Sequence, residues 1–163
     1  MDYYRLRFEE SDENYYFEVD SERTVLRQVI EDEGRWIVSC RSDEELHFCL
    51  YDQEFDQSMD DAEGEDITRE QFEQVWSQAT APHRREWEQT KAKFQFGDVV
   101  SGIIEVFYPQ GVILSLPNDA YGIIDDGECN AAVPPETRYP GYMVKAVVTG
   151  LDEVNMWLRL SCS

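Results

Sequence analysis

The 163-residue chain carries 35 acidic side chains against 14 basic ones, a formal charge of −21. So acidic a chain repels phosphate at long range, which excludes nucleic-acid binding driven by bulk positive charge. With 42% hydrophobic residues it can bury a core in one large domain or two small ones. No apolar run approaches the roughly 18 residues of a membrane span, and Met1-Asp2-Tyr3-Tyr4-Arg5 lacks the order of a signal peptide. The expectation is a cytoplasmic protein that makes no membrane contact.

The first half holds most of the acid. Residues 3–8 alternate as a strand, and residues 15–19, 24–30, 35–40 and 46–51 read as four more, separated by polar turns. Asp32-Glu33-Gly34 is a hairpin turn signal. A meander of five strands is the simplest topology.

Residues 52–66 contain Asp52, Glu54, Asp56, Asp60, Asp61, Glu63, Glu65 and Asp66 and little that is apolar. Such a run predicts a solvated loop. Counted from Asp56, Asp61 and Ile67 stand where an EF-hand loop needs Gly and Glu, so that motif fails. Thr68-Arg69-Glu70-Gln71 is a capping box, and behind it Phe72, Val75, Trp76 and Ala79 fall at helical spacing as a core stripe. Pro82 opens a second helical piece, and Arg84 to Phe94 reads as a connector on the surface.

The meander, the acidic loop and the helix around Glu54-Phe55-Asp56 and Ile67 to Trp76 resemble small α+β domains of bacterial immunity-type proteins. That resemblance implies a basic partner such as a nuclease-type toxin.

Residues 96–161 contain short Val/Ile-rich runs cut by turn residues, which predicts an antiparallel barrel. Gly97-Asp98, Gly102, Gly111, Gly122, Gly141, Lys145, Asp152 and Leu160-Ser161 follow one another in the order of an S1 domain, which this stretch resembles. The resemblance implies a five-stranded OB-fold that binds RNA. At the positions of the family's two stacking aromatics and its His stand Gln110, Ile113 and Asp125. Phe107, Tyr108, Tyr121 and Trp157 are the remaining aromatics, with Lys145 and Arg159 as cations.

Cys40, Cys49, Cys129 and Cys162 show no Cys-x-x-Cys spacing, and His47 and His83 are the only histidines. No zinc site is expected, and the thiols are read as reduced. No nucleophile elbow, P-loop, dinucleotide fingerprint or zinc-protease motif is present, and no cofactor is implied.

The expected fold is an acidic α+β domain over residues 1–80, a helical connector over 81–95 and an all-β, S1-like OB-fold barrel over 96–163. The expected function is non-enzymatic. The first choice is a binding protein whose acidic face (Asp52, Glu54, Asp56, Asp60, Asp61, Glu63, Glu65, Asp66) meets a basic protein. The alternative is single-stranded RNA held by Phe107, Tyr108, Tyr121, Lys145, Trp157 and Arg159.

Overall fold

The computed structural model describes residues 1–8, 10–56 and 62–162. The chain divides into two compact units, Met1–Pro82 and His83–Ser163.

The first unit is an antiparallel sheet of β1 (Asp2–Phe8), β2 (Asn14–Val19), β3 (Val25–Asp32), β4 (Arg35–Val38) and β5 (Ala62–Asp66), in the order β4-β3-β2-β1-β5. Asp20 accepts from the N–H groups of Glu22 and Thr24, which closes the β2–β3 turn. Glu33 and Gly34 both take positive φ in the β3–β4 hairpin, as the turn signal predicts. Helix α1 (Arg69–Thr80) starts at Thr68, whose hydroxyl accepts from Gln71 N at 3.1 Å while Gln71 Oε1 accepts from Thr68 N at 2.8 Å. Its Phe72, Trp76 and Ala79 are buried, and Val75 is half-buried.

Side-chain alternation gives the sheet two covered faces. Tyr3, Glu18 and Arg27 face α1, where the Tyr3 and Phe72 ring centroids lie 5.3 Å apart. Tyr4, Leu6, Phe17, Val19 and Val25 face the other way and pack against Leu50, Tyr51 and Phe55.

Two sequence expectations fail here. Residues 46–51 form no strand. Asp43 accepts from the N–H groups of Glu45 and Leu46, its own N–H and carbonyl pair with His47, and His47 takes φ 56°. That tight turn breaks the extended run, and the segment crosses the sheet face as an irregular strap. Conversely, the acidic run is not wholly a solvated loop. Phe55 is buried and stacked on Tyr4, and residues 62–66 pair with β1 as the outermost strand. The register sets Glu65 opposite Arg5 and Glu63 opposite Arg7, and Arg5 bonds Glu65 at 3.0 Å, so β1 supplies the cations this strand needs. Asp60 and Asp61 lie outside the described residues.

The second unit is a closed barrel of β6 (Val99–Tyr108), β7 (Gly111–Leu116), β8 (Ala120–Ile124), β9 (Met143–Asp152) and β10 (Trp157–Cys162). Only β8 and β10 run parallel. Helix α3 (Asp126–Ala132) lies between β8 and β9 and packs on β7 and β10. This is the connectivity of an OB-fold. A Cβ on Gly102 would lie 2.9 Å from Leu114 Cβ, and one on Gly122 would lie 2.5 Å from Leu160 Cδ1. The glycines mark places where the barrel has no room for a side chain.

Candidate nucleic-acid interface on the barrel

The strand register places one row of outward side chains across the barrel. Met143 on β9 lies opposite Ile103 on β6, Ile103 opposite Ser115 on β7, and Ser115 opposite Tyr121 on β8. Their strand neighbours Val144, Ile104, Leu114 and Ala120 are buried, so the row is the outer one. Three strand spacings make it roughly 14 Å wide. Exposed Lys145 stands two residues from Met143 at one end. At the other, exposed Arg159 lies beside Ile123, two residues from Tyr121.

Around the Met143 end the chain exposes Tyr139 and Tyr142. Phe107 is 41% exposed four residues further along β6 than Ile103, opposite buried Val112. Tyr139, Tyr142 and Met143 were not among the expected site residues. Their signal was the turn-rich Tyr139-Pro140-Gly141-Tyr142 just ahead of β9. Gly141 takes φ 94° there, and its N–H bonds Ile104 O at 2.8 Å.

The expected aromatics divide. Phe107 is exposed and Tyr121 half-buried on the outer row. Tyr108 and Trp157 are buried at 8% and 1%, with ring centroids 6.3 Å apart. Those two rings fill the core and offer no face to a base. Ile113, one of the positions that the S1 resemblance gives to stacking, is fully buried. Asp125, at the family's His position, caps α3 by accepting from Glu128 N at 3.1 Å.

Helix α2 (Arg84–Lys93) packs on β8 and is not the bare surface connector its sequence suggested. Trp87 is fully buried, and its Nε1 donates to Glu153 Oε2 at 2.8 Å, in the β9–β10 turn. That bond, joined by Lys91 at 3.2 Å, holds the Glu153 carboxyl below its ordinary range. Lys91 also pairs with Glu88 at 3.0 Å. Lys91 is thus committed to carboxylates.

The acidic candidates lie in the other unit. Asp52, Glu54 and Asp56 are exposed on the strap, and Glu63, Glu65 and Asp66 are exposed on β5. Among the described residues no group of His, Cys, Asp or Glu side chains is arranged to hold a metal ion. No described helix is long and apolar enough to cross a membrane.

No protein-family model and no curated protein matches the chain. Among solved structures, a multidomain protein with nucleic acid binding domains from Streptococcus pneumoniae is similar at 17% identity, with a TM-score of 0.29. The match covers 99% of this chain and 50% of that one, so this chain spans about half its length. So low a TM-score carries no argument about this chain, and the OB-fold stands on its strand order.

Proposed function

We propose that the chain is a non-catalytic binding protein whose S1-like barrel holds single-stranded RNA across β6 and β9. The observation that carries this reading is the group of exposed Tyr139, Tyr142 and Met143 just ahead of Lys145 on β9. Aromatic faces stack bases of any sequence, and a neighbouring cation holds the phosphate. The net charge of −21 opposes approach, so binding is weak and salt-sensitive. The test is fluorescence anisotropy of a labelled single-stranded RNA of about 12 nucleotides, a length that spans one OB site. Binding at low salt that Tyr142→Ala with Lys145→Ala abolishes is the expected result. No binding at low salt overturns the reading.

A basic protein partner, as the immunity-type resemblance implies, is a second reading. It is favoured by the carboxylates of Glu63, Glu65 and Asp66 lying exposed on the outermost strand. Charge of this kind accelerates association. Neutralising Asp60, Asp61, Glu63 and Glu65 together should slow capture of a basic nuclease while leaving RNA binding intact. An unchanged association rate overturns this second reading.

A further inference from the structure

The N-terminal sheet has an apolar groove on the face away from α1. It lies between the sheet and the strap that follows β4, and it measures about 350 Å³. That is the size of a small-molecule site. Phe8 and Tyr15 line it edge to face, with centroids 5.1 Å apart. Phe17 and Tyr51 line it in the same manner at 6.3 Å. Leu6 and Ile30 complete the apolar wall.

The polar groups in the groove are already engaged. Gln28 Oε1 accepts from Tyr51 N at 2.8 Å, and its Nε2 donates to Cys49 Sγ at 3.4 Å. An occupant is therefore held by ring faces and by charge. The charge beside the rings is negative, because the Tyr15 hydroxyl donates to the Glu13 carboxylate at 2.6 Å. Burial and that bond push the Tyr15 phenol far above its ordinary value, so it stays protonated on Glu13. Ring faces carry negative potential and attract cations. A metal ion would not leave water for apolar walls, and an anion would meet Glu13. An organic ammonium with an apolar body satisfies both the walls and the charge.

We propose that the groove between the sheet and the strap binds a small lipophilic ammonium ion through the rings of Phe8, Tyr15 and Tyr51, with buried Phe17 as its floor. Its lining residues all belong to the first unit, Met1–Pro82.

Cys49 lines the groove and reports its occupancy. Cys162, also half-buried but in the other unit, is the reference thiol. The full chain is treated with N-ethylmaleimide, with and without benzyltrimethylammonium at about 10 mM, above the millimolar dissociation constant of so small a contact. Peptide mass spectrometry follows each thiol. Modification of Cys49 should slow several-fold while that of Cys162 does not change. Benzyl alcohol, with the same ring and no charge, should need about tenfold more for equal protection. Tyr15→Leu keeps the wall apolar and should remove that preference. Unchanged modification of Cys49 overturns the site, as does equal slowing of both thiols. Equal protection by the charged and neutral molecules overturns the ammonium assignment.

Discussion

Arg27 grips Glu18 with two parallel bonds, Nε to Oε1 at 2.9 Å and Nη2 to Oε2 at 2.7 Å. The pair joins β3 to β2, and its guanidinium lies 4.9 and 5.0 Å from the ring centroids of Phe72 and Trp76 on α1. Burial alone would push the Glu18 carboxyl up, but the Arg27 bonds and charge outweigh it and hold it low. A lowered folded-state pKa contributes stability above the unfolded value of about 4.3, lost as pH falls through the folded value. Arg27→Met leaves a buried carboxylate unpaired and should cost about 3–5 kcal/mol at neutral pH, whereas Arg27→Met with Glu18→Leu should cost much less. Urea unfolding of the two single variants and the double variant measures the difference. A double variant no more stable than Arg27→Met would show that the pair does not act as a unit.

Trp76 is 2% exposed beneath that guanidinium. Trp76→Ala should cost about 3–5 kcal/mol in the same unfolding assay. A loss under about 1 kcal/mol would mean that the site collapses around the missing ring.

Gly122 and Gly150 offer a controlled contrast in the barrel. A Cβ at Gly122 would meet Leu160 Cδ1 at 2.5 Å and Leu158 O at 3.1 Å, whereas at Gly150 the nearest atom is Arg159 Cδ at 3.4 Å. Gly122→Ala should destabilise the barrel by about 1–3 kcal/mol and Gly150→Ala by little. Thermal unfolding of the two variants checks the order.

Asp43 holds the strap's first turn. Burial pushes its carboxyl up, but the N–H of Leu46, the Arg35 guanidinium at 2.6 Å and the N–H of Glu45 together bring it from 3.8 to about 2. The stability it contributes is complete above its ordinary value and is lost as pH falls through the folded value. A carboxyl carbon NMR titration should place its midpoint near 2, and Arg35→Gln should move it back toward 3.8. A midpoint indifferent to Arg35 would remove the guanidinium from the account.

The proposed RNA site has a cation near each end of the outer row, Lys145 and Arg159. If Lys145 and Arg159 each neutralise one phosphate, log affinity should fall with log salt at a slope of about −1.4. Lys145→Ala with Arg159→Ala should flatten that slope, measured by anisotropy across a salt series. A slope unchanged by the double variant would place the phosphates elsewhere.

The features legible in the sequence are those whose cause is local. Thr68 and Gln71 cap α1 three residues apart, and Glu33-Gly34 makes its own turn. The barrel was legible in part because Gly102, Gly111 and Gly122 stand where neighbouring strands leave no room. What was missed depends on distant partners. Glu65 looks solvated until Arg5, 60 residues away, lies opposite it. Trp87 looks like a surface anchor until Glu153, 66 residues on, accepts its indole proton. Trp157 and Tyr108 looked available for stacking because composition cannot distinguish a ring inside a barrel from one outside it. Exposed Tyr139 and Tyr142 are not legible in strand periodicity, because the turn ahead of β9 displays them.

The position of β1 has a consequence for biosynthesis. It is made before both of its neighbours, yet it lies between them in the sheet, flanked by β2 and β5. Hairpin pairing with β2 is available within a few residues, but its second edge stays open until residues 62–66 leave the ribosome. At bacterial to eukaryotic elongation rates that interval is roughly 3–12 s. During it, Tyr3 to Phe8 present unsatisfied backbone groups to neighbouring nascent chains on the same messenger. The strand that finally seals the edge brings Glu63, Glu65 and Asp66, so the exposed ladder passes from an aromatic-rich segment to one whose charges repel its own copies. A translation pause while residues 10–60 are being made should therefore raise co-translational aggregation of this chain, and a pause after β5 has left the ribosome should not.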